Sequence, residues 1–174
     1  MITHSEIRTK RLFLRTLTEA DAQIVRDTER HFANVFETEH DGLQWIRWAN
    51  GRSDVCYNFY IWLAQTNEVI GHVYFHSKDD LGGAVEIAYG ILEAYRCQHY
   101  ATEAAKSVVS FAFEQAGLDA LVAIVKPDNI ASRRVIEKLG FQKDGVLTVP
   151  DENGEDCAFD HFQLKRGDWQ LHSR

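Results

Sequence analysis

The sequence predicts a mixed α/β fold, with a partly parallel central sheet flanked by helices in a single domain. Runs in which apolar and polar residues alternate are interspersed with runs of helical period. Their order is strand, two helices, three strands, helix, strand, helix and two strands, and the strand–helix–strand passages favour parallel pairing near the middle. The 174 residues contain no repeat, linker or low-complexity tract, so one domain over residues 1–174 is expected.

The amino-terminal half is expected to contain three strands and two helices. Thr18 and Asp21 have the spacing of a capping box, which predicts a helix start there. Asn67 and Glu68 lie between two strand-like runs and predict a tight hairpin. The predicted elements are a strand over 11–15, helices from 18 toward 27 and over 40–50, and strands over 57–64 and 69–76.

The carboxyl-terminal half contains the clearest helical pattern. After Ala101, apolar residues recur at i, i+3, i+4 and i+7, and Gly117 provides a natural stop. Asp128 is placed to cap a short helix that Gly140 closes. The remaining predicted elements are strands over 85–92, 120–126, 141–149 and 157–165, a loop over 79–83 and a turn over 151–154.

The composition bounds the classes of partner. Lys and Arg number 19 against 26 Asp and Glu, and the net charge of −7 argues against nucleic acid as a partner. No apolar run approaches the roughly 18 residues of a membrane helix, and residues 1–15 lack the apolar core of a signal peptide. The three cysteines are far apart in sequence, which is typical of reduced thiols. We therefore expect a cytoplasmic protein that contacts neither nucleic acid nor membrane.

Residues 95–105, YRCQHYATEAA, form a turn that leads from a predicted strand into the clearest helix. Backbone N–H groups at a helix N-terminus, together with the macrodipole, attract anions. The same geometry occurs at any strand-to-helix turn, so this pattern alone leaves a phosphate site and a plain turn both open.

A second stretch, residues 125–141, reads VKPDNIASRRVIEKLGF. Ser132 is the single polar residue on a helix face whose other members are apolar. Its hydroxyl either bonds back to its own helix or acts as a donor at a reaction centre. The outer face carries three basic residues, which are either solvated or close to a ligand phosphate: Arg133, Arg134 and Lys138.

The two stretches together resemble the GNAT superfamily of acetyl-CoA-dependent N-acetyltransferases, especially the branch that acetylates ribosomal-protein N-termini. The family loop, Arg/Gln-x-x-Gly-x-Gly/Ala, corresponds to residues 96–101, with His99 in place of a glycine. The later signature, Asn-x-x-Ser followed by Glu-Lys-Leu-Gly-Phe, corresponds to residues 129–141. The likeness extends to residues 11–15 and 144–147 and so covers nearly the whole chain.

The resemblance implies that acetyl-CoA is the co-substrate and that its acetyl group passes directly to an amine. The pyrophosphate would lie on the loop amides and the pantetheine beside the preceding strand. Asn129 would contact the pantetheine, and Ser132 would hydrogen-bond the sulfur and protonate the departing thiolate. Many relatives use a tyrosine four residues after this serine, but Ile136 stands there and excludes that acid. The residues expected at the cofactor are Tyr89, Gly90, Ile91, Arg96, Cys97, Gln98, His99, Tyr100, Ala101, Thr102, Asn129, Ser132 and Arg134.

His99 raises the question of whether the loop can work without the glycine. A residue forced into the left-handed region costs about 1–2 kcal/mol. A hydrogen bond to a charged phosphate contributes about 1.5–3 kcal/mol, so two or three of them outweigh that strain. We therefore expect a working loop.

The reaction requires a neutral amine, and Glu86 is the first candidate for the base. It is a carboxylate near the start of an otherwise apolar strand, at a place similar to the catalytic glutamate of histone-acetylating relatives. The alternative is an outward-facing edge of the sheet. Asp151 and Glu152 in the last hairpin are second candidates, for activating water or receiving a cationic substrate, unless they form a plain polar turn.

Two aromatic and histidine patterns leave alternatives open. Trp45 either walls the amine site or packs in the core. His72, Tyr74 and His76 alternate along one predicted strand, but they lack a third metal ligand at a suitable spacing. We predict no metal site.

The expected acceptor is the N-terminal amine of a protein, as in the ribosomal-protein branch. The alternatives are a small amine, such as a polyamine or an aminoglycoside, and a non-catalytic acyl-CoA-binding domain. The sequence fits either a monomer or a homodimer.

Overall fold

The computed structural model describes residues 5–32, 36–51, 55–150 and 155–172. The strands in these ranges are β1 (Glu6–Arg8), β2 (Leu12–Thr16), β3 (Cys56–Leu63), β4 (Val69–Lys78), β5 (Ala84–Ile91), β6 (Ala120–Val125), β7 (Gln142–Pro150) and β8 (Asp156–Lys165). The helices are α1 (Ala22–Glu29), α2 (Glu39–Gly51), α3 (Tyr100–Glu114), α4 (Ile130–Lys138) and α5 (Arg166–His172).

The strands are hydrogen-bonded in the order β1-β2-β3-β4-β5-β6-β8-β7. The sheet is mostly antiparallel, and β5 and β6 form a parallel pair in which Glu86 lies opposite Val122. The predicted mixed, partly parallel α/β class is therefore confirmed. β6, the strand of this pair that follows α3, is buried on both faces, as parallel strands usually are.

The chain divides into two compact units. The first contains the described residues up to Ser77 together with Ala88–Val108, and the second contains Lys78–Ile87 and the described residues from Val109 onward. Both β5 and α3 therefore contribute residues to each unit.

The first unit has its core between α1, α2 and the strands β2 and β3. The buried residues of this cluster are Leu17, Ala22, Val25, Ile46, Tyr60 and Trp62. The partly buried residues that pack against them are Phe13, Ile24, Phe36, Leu43, Trp45 and Val69. The two helices approach closely at Gly42, where a Cβ atom would lie 2.1 Å from the Ala22 carbonyl oxygen. No larger residue fits there without moving the α1 backbone.

The predicted capping box at the start of α1 is confirmed. The Asp21 carboxylate accepts hydrogen bonds from the Thr18 backbone N–H at 2.9 Å and from the Thr18 hydroxyl at 3.0 Å. The two residues open a short 3-10 turn, Glu19–Asp21, which runs directly into α1. Arg15 on β2 adds a bidentate pair to the same carboxylate, at 2.8 and 2.9 Å.

The predicted hairpin around Asn67 is confirmed, with a longer turn than expected. β3 ends at Leu63 and β4 begins at Val69, so five residues connect the strands, one more than the four between the predicted strands. Asn67 is left-handed, with φ 59°, a conformation that asparagine tolerates better than most residues.

The second unit is built on the antiparallel ladder between β6 and β8. Ile136 and Leu139 of α4 are buried, as the helical spacing predicts. Asn129, and not the predicted Asp128, caps α4, because its side-chain oxygen accepts the Ser132 backbone N–H at 3.1 Å.

Arg133, one of the three basic residues expected on the outer face of α4, is partly exposed and forms an ion pair rather than being fully solvated. Its guanidinium bonds the buried Asp160 carboxylate at 2.6 Å, and Lys143 bonds the other oxygen of that carboxylate at 2.6 Å. Asp160 is 3% exposed, so it requires such partners. Arg133 is therefore a structural residue of the second unit, whereas Arg134 and Lys138 are exposed.

Candidate active site

The turn between β5 and α3 contains two non-glycine residues in the left-handed region. Cys97 has φ 61° and His99 has φ 65°. The left-handed position of His99 is what its alignment with the family glycine predicts, whereas no sequence signal indicated the same conformation for Cys97. Strain of about 1–3 kcal/mol per such residue is kept in a folded protein only where the surroundings enforce it.

The left-handed residues leave a run of backbone donors at the start of α3. Within the described residues, the amides of 97–102 donate to no backbone carbonyl, and the first helical bond is from Glu103 N–H to His99 O at 3.1 Å. Residues 96–99 are also exposed. One expectation needs correction: the Arg96 amide donates to Glu93 O at 3.1 Å, so the run begins at Cys97.

This run fits the diphosphate that the resemblance implies. Donors at a helix N-terminus that lack intrahelical partners, together with the helix dipole, form an anion site. Tyr100, Ala101 and Thr102 supply the helical part of the run, and Cys97, Gln98 and His99 the turn.

Arg11 fixes the shape of this turn from a distant part of the sequence. Its guanidinium donates to Gln98 O at 3.0 Å and to the Glu103 carboxylate at 2.7 Å, and it lies 4.4 Å from the centre of the Tyr100 ring. The Arg11 backbone N–H also donates to Glu103, at 3.0 Å. The segment before β2 therefore holds both the turn and the first turn of α3.

Glu103 is held as a carboxylate by these contacts. Burial alone would raise its pKa, but hydrogen bonds from the Thr9 hydroxyl and from Arg11 outweigh burial and keep the pKa below its usual value. A negative charge in the first turn of α3 is also favourable to the helix dipole.

The end of β5 contributes Tyr89, Gly90 and Ile91, the residues expected beside the pantetheine. A Cβ atom on Gly90 would lie 2.6 Å from the Phe32 ring and 3.0 Å from His72 Nε2, so a larger residue would require these side chains to move. The Arg96 side chain donates to Ile91 O at 3.1 Å and ties the turn to the end of the strand.

Glu86 lies on β5 within the second unit and is 7% exposed, so the outward-facing alternative is wrong. Lys78 Nζ is 3.4 Å from its carboxylate. Glu86 and Lys78 therefore form an ion pair within the second unit.

Asn129 and Ser132 lie together at the start of α4. The Asn129 side-chain oxygen accepts the helix-capping hydrogen bond, and its amide nitrogen is a hydrogen-bond donor. Ser132 is partly buried, and the Ile136 position four residues later is 1% exposed in the core.

A family model described as an acetyltransferase (GNAT) domain matches residues 11–142. The chain is also 30% identical over 161 residues to YoaA of Bacillus subtilis (strain 168), described as an uncharacterised N-acetyltransferase. That match covers 81% of this chain and 85% of YoaA. The chain belongs to the GNAT acetyltransferase family.

The GNAT fold is further supported by solved structures at low sequence identity. RimL, a ribosomal-protein acetyltransferase solved in complex with coenzyme A, is 15% identical with a TM-score of 0.79, covering 92% of this chain and 98% of RimL. A chimera of the spermidine N-acetyltransferase SpeG from Vibrio cholerae and hSSAT is 18% identical with a TM-score of 0.73, covering 92% and 99%. By its family, this GNAT protein is an acetyl-CoA-dependent N-acetyltransferase.

Other predicted site residues have less definite positions. Trp45 packs against the core cluster of the first unit, with its ring 6.2 Å from that of Tyr60 in an edge-on arrangement. Its contact with substrate stays a prediction. Arg134 is exposed on α4. Asp151 and Glu152 lie outside the described residues.

Three further findings concern this GNAT protein. Among the described residues, no group of three or more His, Cys, Asp or Glu side chains is placed to hold a metal ion. In the same ranges, no helix is both long and apolar enough to cross a membrane. The three cysteines are free thiols.

Sequence reasoning missed Arg11 as a determinant of the turn between β5 and α3, residues 96–99, which we call the cofactor turn because the diphosphate is expected there. Its only signal was its place in the segment 11–15 that resembles the family. Nothing in the spacing of Arg11 and Glu103, 92 positions apart, indicates that they pair.

Proposed function

We propose that this protein acetylates the N-terminal amine of a protein in the cytoplasm. The observation that carries the acetyl-CoA part of the proposal is the run of free amides at 97–102, placed on a GNAT fold. When bound, acetyl-CoA supplies an acetyl group activated as a thioester. The protein has to hold its diphosphate, admit the amine and remove protons from the amine nitrogen.

The strength of the available bases supports an N-terminal amine. The candidate groups are a carboxylate, Glu86, and imidazole side chains, which are modest bases. Removing a proton at pH 7 from an N-terminal amine, with a pKa of about 7.7–8.0, costs about 1 kcal/mol. The same step costs about 4.6 kcal/mol for an amine with a pKa near 10.4. A modest base is sufficient only for the N-terminal amine.

In this proposal the predicted residues have separate roles. The amides of residues 97–102 bind the diphosphate, and the backbone of Tyr89 to Ile91 lies beside the pantetheine, which Asn129 also contacts. Glu86 takes the first proton from the amine through a water molecule. Ser132 hydrogen-bonds the sulfur and protonates it as it leaves.

A polyamine acceptor is the second candidate. The net charge of −7 is compatible with a cationic substrate. One of the solved structures with a similar fold, the SpeG chimera, is a spermidine N-acetyltransferase. Such an amine would require a stronger base than a carboxylate.

A direct comparison of acceptors tests the proposal. The protein is incubated with acetyl-CoA and peptides that begin with Ser, Ala or Met, with spermidine, and with an Nα-acetylated peptide that contains lysine. Products are identified by mass, because the exposed Cys97 thiol would react with a colorimetric thiol reagent.

We expect acetylated peptide N-termini and little product from spermidine or from the blocked peptide. Preferential acetylation of spermidine would refute the N-terminal assignment. Thermal stabilisation by CoA without turnover on any amine would indicate a binding domain and refute the enzymatic proposal.

A further inference from the structure

A buried cluster in the first unit joins a carboxylate, a phenol and an imidazole that no family signature includes. Glu29, at the end of α1, is 7% exposed. Its Oε1 atom accepts a hydrogen bond from the Tyr60 hydroxyl on β3 at 2.5 Å, and it lies 2.7 Å from His72 Nδ1 on β4. Three separate elements therefore converge on one carboxylate oxygen.

The contacts determine which imidazole nitrogen carries hydrogen. Burial, reinforced by the nearby Glu29 charge, raises the pKa of Tyr60, so its hydroxyl remains a donor to Glu29. An ionised carboxylate can only accept, so His72 Nδ1 carries the hydrogen that lies between the ring and Glu29. In the neutral ring Nε2 is then a bare acceptor, and within the described residues it has no hydrogen-bond partner.

The bare nitrogen lies close to Gly90, on the strand expected beside the pantetheine. His72 Nε2 is 3.0 Å from the point that a Gly90 Cβ atom would occupy. The Phe32 ring lies 4.6 Å from the His72 ring and covers the same part of β5. The His72 side chain is 13% exposed, so its orientation is fixed by packing while access is not fully closed.

Within the described residues, Glu29 is the charged group in contact with His72. Glu29 from α1 and Tyr60 from β3 are the titratable groups that face it from neighbouring elements, and β5 presents only the Gly90 backbone. On β4 itself, Tyr74 lies beside the ring at 5.7 Å, and His76 lies beyond Tyr74. A positive charge formed on His72 would thus be paired with Glu29 alone, which is the arrangement of an oriented acid–base histidine.

We propose that His72 is a catalytic residue, oriented by Glu29 and Tyr60, that accepts the second proton lost by the acceptor amine. The proposal rests on the proposed acetyl transfer to an amine. An ammonium loses two protons when it becomes an amide, and Glu86 is assigned only the first. As the nitrogen electron pair forms the new C–N bond, the C–S bond breaks and its electron pair leaves on sulfur. The second proton passes from nitrogen to His72 Nε2 and later to solvent.

The test compares His72→Gln, Glu29→Gln and His76→Gln in the full protein. His76 is the matched control, because it lies on the same strand and its Nδ1 is 3.1 Å from the neighbouring Ser77 carbonyl oxygen rather than beside a carboxylate. Turnover is measured at pH 7 and pH 9 with the best acceptor from the panel, and CoA affinity and the melting temperature are recorded for each variant.

We expect His72→Gln to lower kcat at least 100-fold at both pH values, within the usual range for general acid–base groups. Its CoA affinity should stay within threefold of the wild-type value. Glu29→Gln should lower kcat about tenfold, and His76→Gln should change it less than twofold. Because an N-terminal amine is already neutral at pH 9, a defect that persists there is not a defect in the first deprotonation.

A measurement independent of turnover examines the tautomer. Nitrogen-15 NMR of the wild-type protein should show His72 protonated at Nδ1 and bare at Nε2. An Nε2–H tautomer would refute the proposal even if the His72 variant failed to fold. Turnover of folded His72→Gln within threefold of wild type would refute the role of His72 alone, whereas a wild-type protein inactive on every amine would refute the proposed function and this inference together.

Discussion

Replacing His99 by glycine tests whether the cofactor turn is strained. His99 is held at φ 65°, where an L-residue costs about 1–2 kcal/mol and glycine costs nothing. Glycine also gives the unfolded chain more conformational freedom, which destabilises the folded state by about 0.5–1 kcal/mol and offsets part of that gain. His99→Gly should therefore stabilise the fold by about 0.5–1 kcal/mol. For a chain of this size, that raises the melting temperature by about 1–4 °C.

The same substitution should change CoA affinity less than tenfold, because the backbone donors keep their positions. Thermal unfolding and calorimetric titration with CoA measure the two effects. Asn67→Gly is the matched control: Asn67 is also left-handed, with φ 59°, but lies in the β3–β4 turn, so CoA affinity should not change. A lower melting temperature for His99→Gly would contradict the strain argument, and a hundredfold gain in affinity would show that the native turn is a poor cradle.

Three further outcomes follow from the contacts described above. Arg11→Ala should weaken CoA binding about tenfold in a calorimetric titration, because Gln98 loses its restraint, whereas alanine at the exposed Arg47 of the Arg47–Glu19 pair should have no effect. Glu86→Gln should lower kcat about five- to tenfold at pH 7, matching the cost of about 1 kcal/mol for the first proton, and regain normal turnover at pH 9. Asp21 should stabilise the fold by about 2 kcal/mol above pH 4 and lose this contribution as pH falls toward 2, which denaturant titrations of wild type and Asp21→Asn can follow.

The sign of the Asp21 effect follows from its contacts. Burial would raise its pKa, but hydrogen bonds from Arg15 and Thr18 lower it to about 2. A depressed pKa stabilises the native state above the unfolded value, near 3.9, and protonation removes that stabilisation. If wild type and Asp21→Asn lose stability equally between pH 4 and pH 2, the bidentate pair has no such role.

The strands and α3 were predictable from the sequence because their patterns are local. A period of two or of 3.6 residues can be read directly from neighbouring positions. β1 was missed because three residues are too few to show alternation, and α5 because its seven residues have neither a cap signal nor a complete apolar face. α4 was predicted, but Asp128 and Asn129 are both good caps, and sequence alone does not choose between them.

The candidate site was predictable only where its parts are contiguous. Residues 96–102 form one segment, so their resemblance to the family identifies them together. The Glu29–His72 contact joins positions 43 apart, and no rule of spacing indicates that a buried glutamate and a strand histidine will meet. The alternation of His72 with Tyr74 was visible, but alternation by itself indicates a strand face and not a partner.

The clamp by Arg11 has a consequence for transplanting this binding segment into another protein. A fragment of residues 95–114 contains every amide of the cradle and the whole of α3, yet it lacks the guanidinium that bridges the turn and the helix. Grafted alone onto another protein, the fragment would keep the sequence of the motif, but its turn would lose the left-handed backbone conformation. A portable phosphate-binding module from this protein would need two pieces of chain, separated by more than eighty residues, delivered in register.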